Sequence, residues 1–287
     1  MSAQSLLCGA RAAEAQLLAR RAAAPDTEGA VLAALAAACG RVVPDDLAAA
    51  GRAIAAAAQA HGESFASGAE PAYHDRHHQA EATLCAGWLS AAARRPGLLQ
   101  PREAGLLVLA MAGHDLLHEG SAGDPPGALE QRSATATQRL AASLPEAERA
   151  EIARLILATA QGATPSDLTA RMAREADLFG SLTPTLGWRL SHALAEERRA
   201  AGVPGADAIA THGGRLALLG VLPAMTPPAV ELGLDAIRQI QREALRLAGG
   251  ASSAAEGAAR LDAMPAEEAG WRWDEALAAL GLPGLPP

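Results

Sequence analysis

Met111-Ala112-Gly113-His114-Asp115-Leu116-Leu117-His118-Glu119-Gly120 closes an apolar run that begins at Ala104. The run has helical length and carries no charge before His114, so residues 102–118 read as a helix largely removed from water. Such a helix delivers His114 and Asp115 into an interior. Burying those groups uncompensated costs several kcal/mol, so a paired ion or a bound metal is called for. A dication meets that need.

A second polar group lies upstream, Tyr73-His74-Asp75-Arg76-His77-His78-Gln79-Ala80-Glu81. On a helix its four-residue offset places His74 and His78 on one face, so that two imidazoles point into one pocket. Five of the eight histidines fall within residues 74–118, beside acids, and this clustering sets them apart from isolated structural histidines. His61, His192 and His212 lie outside the groups and read as structural or exposed. Imidazole with carboxylate suits zinc, iron or manganese at one position, and carboxylate with water suits magnesium or manganese at a neighbouring one. Asp115 is placed to bridge both.

Working outward, segments of helical length alternate with Gly and Pro at 75–94, 102–118, 128–143, 146–160, 166–178, 184–200, 206–222 and 227–248. Apolar residues recur at spacings of three and four, as in Ile152, Leu155 and Ile156, and no strand pattern stands out. The fold class expected is therefore all-α. Residues 1–60 are Ala-rich and broken at Ala24-Pro25-Asp26-Thr27 and Val43-Pro44-Asp45-Asp46, which predicts two or three helices forming an N-terminal layer that leans on the rest. A main domain is expected over 61–250. After Gly249-Gly250, residues 251–287 read as a linker and tail in which Trp271 or Trp273 anchors on the domain surface or on a partner. Trp188 reads as core.

Half of the residues are apolar, enough for a substantial core. Every basic residue is Arg. The net charge of -8 lacks the basic footprint of a nucleic-acid binder, and an acidic surface leaves local Arg side chains or metal to attract a phosphate substrate. Cys8, Cys39 and Cys85 are too few and scattered for a disulfide framework or a thiolate zinc cage. With no signal segment and no apolar run long enough to cross a bilayer, the expected location is the cytoplasm, without membrane attachment.

The quoted motifs resemble those of the HD superfamily of metal-dependent phosphohydrolases, in particular the catalytic domain of cyclic nucleotide phosphodiesterases, which implies an HD-domain helical bundle. Residues 73–81 are similar to the family's Tyr-His-Asn-x-x-His-Ala-Ala-Asp, with Asp75 for Asn and Glu81 for Asp. The resemblance makes His78 a metal ligand and His74 the general acid. His114, Asp115, His118 and Gly120 match His-Asp-x-x-His-x-Gly, so that His114 and Asp115 become ligands and His118 a supporting residue, while Glu119 stands where the family has Pro. Leu129-Glu130-Gln131 resembles Leu-Glu-Asn, whose Glu bonds metal-bound water, and Leu157-Ala158-Thr159 resembles Leu-Ala-Thr. Ala176-Asp177-Leu178 resembles the segment supplying the last ligand, Asp177. The likeness covers about residues 70–190.

What this implies is two divalent ions, zinc, iron or manganese at the first site and magnesium or manganese at the second, and hydrolysis of a phosphate ester by a metal-activated hydroxide. His74 protonates the leaving oxygen, with Glu81 or Asp75 holding its charge. The substrate expected is a small phosphodiester or nucleotide, including a cyclic nucleotide. The base grip used by the cyclic nucleotide enzymes has no counterpart: both phenylalanines precede residue 180 and the later glutamines, Gln239 and Gln241, resemble no purine-gripping segment. Arg76 and Arg132 are candidate phosphate anchors. A di-iron oxygenase of HD type and a binding or regulatory module without turnover are the alternatives.

Overall fold

A computed structural model describes residues 3–40, 42–66, 70–121, 125–165, 167–222 and 224–282. The side chain of Cys8 and the Pro-rich end at 283–287 lie outside the described residues. The described chain is all-helical: α1 (Ala3–Arg21), α2 (Thr27–Cys39), α3 (Asp45–Ser64), α4 (Arg76–Arg94), α5 (Pro101–Gly113), α6 (Ala128–Leu140), α7 (Glu146–Leu157), α8 (Leu168–Leu182), α9 (Pro184–Ala200), a 3-10 helix (Ala206–Ala210), α10 (His212–Leu219), α11 (Pro227–Glu231), α12 (Leu234–Ala248), α13 (Ala254–Asp262) and α14 (Ala266–Ala279). No strand occurs among the described residues, and none of their helices is long and apolar enough to cross a membrane.

Two compact units result, one from residues 19–179 with 226–229, the other from 1–18, 180–225 and 230–287. This division differs from the consecutive segments 1–60, 61–250 and 251–287, because each unit is assembled from separated stretches that composition along the chain cannot connect.

In the first unit α5 is the most enclosed element, with every residue from Ala104 to Gly113 buried. Leu106, Leu107, Val108, Leu109 and Met111 each contribute roughly 1.5–3 kcal/mol by leaving water. Of the Ala-rich N-terminal helices, α2 and α3 pack against this centre. α2, capped by Asp26 accepting from Gly29 N–H at 2.8 Å, packs on α4 and α5, and α3 packs on α5 through buried Leu47 and Ile54. α5 ends at Gly113, short of the predicted residue 118, where Thr137 of α6 packs against it.

The other unit is organised by buried polar groups. Arg215, fully buried, donates to the carbonyls of Ser181 and Thr183 and to Gln241 Oε1. Glu14, equally buried, accepts from Thr185 and Leu186 N–H at 2.6 and 3.0 Å, supplying the carboxylate that the first turn of α9 attracts. The predicted helix 227–248 breaks at Gly233, which stands before α12 with φ 87°, and 206–222 divides into the 3-10 helix and α10. The tail is mostly helical. Trp273 on α14 is buried beside a half-buried Trp188, at 6.4 Å between ring centres, while Trp271 is exposed; Ala276 and Leu277, three and four residues after Trp273, give α14 an apolar face to bury.

Candidate metal centre

α4 begins after Asp75, whose Oδ1 accepts from His78 N–H at 2.7 Å as an N-cap. His78 thus occupies the first turn of a helix fixed at its origin. His74 precedes α4, so it does not share a helical face with His78 as predicted. Its ring instead stands edge-on to that of His78, at 5.7 Å between centres, and edge-on to Tyr73 at 4.7 Å.

His114 and Asp115 leave the end of α5 in a turn closed by Leu116 N–H to Gly113 O and His118 N–H to Asp115 O. Gly113 permits this. A Cβ there would lie 2.1 Å from Thr137 Oγ1, and the same hydroxyl donates to Ser133 O at 2.7 Å. Ser133 Oγ also accepts from Leu117 N–H, so α6 braces the turn, while Gln79 of α4 donates to Ala112 O at 2.6 Å.

Four side chains converge as a result. His78 Nε2 lies 3.4 Å from Asp115 Oδ2 and 3.2 Å from Asp177 Oδ1; His114 Nε2 lies 3.0 and 3.5 Å from the same two atoms. His78, His114 and Asp115 offer ligand atoms all within 4.8 Å of one another, a group able to hold a metal ion. Ligands about 2.1 Å from one ion stand roughly 3.0–3.4 Å from their neighbours in octahedral or tetrahedral arrangement, which is the spacing seen.

Both Nε2 atoms are buried, and neither has a hydrogen-bond partner of ordinary geometry, although carboxylate oxygens stand 3.0–3.5 Å away. Buried ring nitrogens left without a hydrogen bond beside two carboxylates are what a set of metal ligands shows. His114 Nδ1–H donates to Met111 O at 2.8 Å, since a carbonyl can only accept; in the neutral ring this leaves the Nε2 lone pair facing the cluster. The residues fit a divalent cation.

The electrostatics agree. Burial works against a charged His78, but Asp115 and Asp177 outweigh it and push its pKa up to about 9; His114 moves the same way, well above the ordinary value. Burial likewise opposes the charged forms of Asp115 and Asp177, yet the two imidazoles hold both carboxyls well below their usual range. In the protein alone, protons supply the positive charge that the carboxylates demand.

His118 is buried and stacks on His74, with centres 3.7 Å apart and planes at 16°. Its Nδ1 accepts from Gly120 N–H at 3.0 Å, and Gly120 adopts φ 67°, a conformation that favours glycine; this gives the His-x-Gly spacing a physical role. Most of the other expected residues are bonded to groups outside the four-residue cluster or to its backbone. Both oxygens of Glu81 accept from Arg21, and Asp75 serves as helix cap, so the acids expected to support His74 are otherwise engaged. Thr159 Oγ1 donates to Ile156 O at 2.8 Å, and Glu130 is half-buried in the first turn of α6 with no ion pair to the cluster among the described residues. Arg76 is bound by Glu70, and Arg132 is exposed on α6.

Sequence reading missed three contributors. Arg21 reaches the first turns of α4, His61 Nε2 donates to His118 O at 3.3 Å, and Ser133 braces the His114–Leu117 turn. Only His61 carried a signal, as a histidine shortly before the first motif. No protein-family model matches the chain, and no curated protein and no solved structure is significantly similar to it.

Proposed function

We propose that this chain is a metal-dependent phosphohydrolase of HD type that hydrolyses a phosphate ester. The observation that supports it is the convergence of His78, His114, Asp115 and Asp177, with both buried imidazole Nε2 atoms left without a hydrogen bond. These four residues would hold zinc, iron or manganese, and Asp115 would also help to hold a second ion, magnesium or manganese. Such ions, when bound, polarise a phosphoryl group and lower the pKa of water.

The chain's own residues supply the remainder. Asp115 and Asp177 are each slightly exposed, at 13% and 18% of the side chain, and would present that edge to water and substrate. His74, held in plane by its stack on His118, is the proton donor to the departing ester oxygen, as water attacks phosphorus from the opposite side. Gln241 is buried with its amide engaged by Arg215 and Leu182 O, and Gln239 is exposed. A base grip from this helix has no support, so the substrate class favoured is a small phosphodiester or phosphomonoester.

The test is hydrolysis of a generic phosphodiester, a generic phosphomonoester and cyclic nucleotides by metal-supplemented protein, with His114→Ala as control. Turnover of one class that the substitution abolishes supports the reading and names the subclass. A metal-loaded protein inert toward all three would leave a binding module or an oxygenase.

A further inference from the structure

Arg21 is the last residue of α1, more than fifty positions before the first metal-binding motif. Its guanidinium forks onto Glu81, Nε to Oε1 at 2.5 Å and Nη2 to Oε2 at 3.1 Å, while Nη1 reaches Asp75 Oδ2 at 3.4 Å. Asp75 passes the constraint on by accepting from His78 N–H with its other oxygen. One guanidinium therefore grips α4 at its cap and again near the end of its second turn, and His78 sits midway, three residues from each grip. Two points of attachment fix both the height and the rotation of a helix start. Rotation matters here because it decides whether the His78 ring nitrogen faces Asp115 and Asp177.

The grip is also sheltered. Glu81 is 3% exposed, and an arginine–carboxylate fork holds its geometry in a way that a lysine's single ammonium does not. We propose that Arg21 is a positioning residue of the metal centre, acting through Asp75 and Glu81 to set His78 and the adjoining Tyr73-His74 segment. The proposal rests on the metal reading above.

The experiment is zinc affinity of the full chain by chelator competition, alongside thermal melting, for wild type, Arg21→Lys, and Arg21→Met combined with Glu81→Gln. The paired change removes the buried carboxylate charge together with its partner, so that the chain folds. Residues that orient metal ligands typically cost 10–100-fold in affinity when removed, so the folded double variant should bind zinc about 10-fold more weakly or worse, with Arg21→Lys between it and wild type. Wild-type affinity in both folded variants, whatever their melting temperatures, would overturn the positioning role and leave Arg21 as a stabilising contact. Failure of the wild-type chain to bind zinc would instead overturn the metal reading, and the positioning role with it.

Discussion

His114 donates its Nδ1 proton to the carbonyl of Met111, three residues back, at 2.8 Å. The bond fixes which nitrogen faces Asp115 and Asp177, and it makes the imidazole's proton inventory the quantity that metal must compete with. Removal of metal by chelation should therefore give a chain whose stability is pH-dependent with a defined sign. His78 has its pKa raised to about 9 in the folded protein, from about 6.5 unfolded. Its stabilisation is complete below about 6.5 and is lost as pH rises through 9. The depressed Asp115 and Asp177 contribute above about 3.9, and their share is lost only in acid. The melting temperature of the chelated chain should thus fall between pH 6.5 and 9.5. With zinc bound, which requires neutral imidazoles, the trend should weaken or reverse.

His74 stacks on His118 and stands edge-on to His78, a proposed metal ligand. His74→Ala should keep full metal content while lowering ester hydrolysis about 10²–10⁴-fold, the usual worth of a general acid. Metal analysis and turnover on the same sample check this. Loss of metal together with activity would place His74 among the ligands instead.

Gly113 has room for no side chain, since a Cβ would fall 2.1 Å from Thr137 Oγ1. Gly113→Ala should destabilise by about 1–3 kcal/mol through overpacking and weaken metal binding by shifting the His114-Asp115 turn. Thr137→Ala in the same chain should recover part of the stability. Denaturant unfolding of the single and double variants measures both.

Glu14 accepts from two N–H groups at the start of α9 while fully buried. Glu14→Ala leaves those donors unmet, at about 1–3 kcal/mol each. Because Glu14 bonds none of the four proposed ligands, the zinc affinity of the folded variant should stay at the wild-type value. Unfolding and chelator competition together separate the two effects.

The fold class was legible in the three-and-four spacing of residues such as Ile152, Leu155 and Ile156, and the buried character of α5 in its unbroken apolar run. The cluster was legible for a related reason: His114 and Asp115 follow that run immediately, and His78 belongs to a group too dense to be incidental. Long-range partners were not legible. Arg21 with Glu81, Glu14 with the start of α9, and Arg215 with Gln241 are joined across 26 to 171 positions, and nothing local marks a charged residue in an Ala-rich segment as buried. Termini were misplaced where tertiary contacts decide them. α5 stops at Gly113, where Thr137 of α6 packs against it, and His74 precedes α4 because Asp75 takes the cap.

Metal binding by His78, His114, Asp115 and Asp177 is open to elemental analysis of protein purified without chelator and then supplemented with zinc, iron, manganese or magnesium. The account predicts one to two divalent ions per chain, with His114→Ala and Asp177→Asn each reducing that content sharply while the chain stays folded. A wild-type chain that retains no ion under any supplementation, or variants that retain as much as wild type, would contradict it.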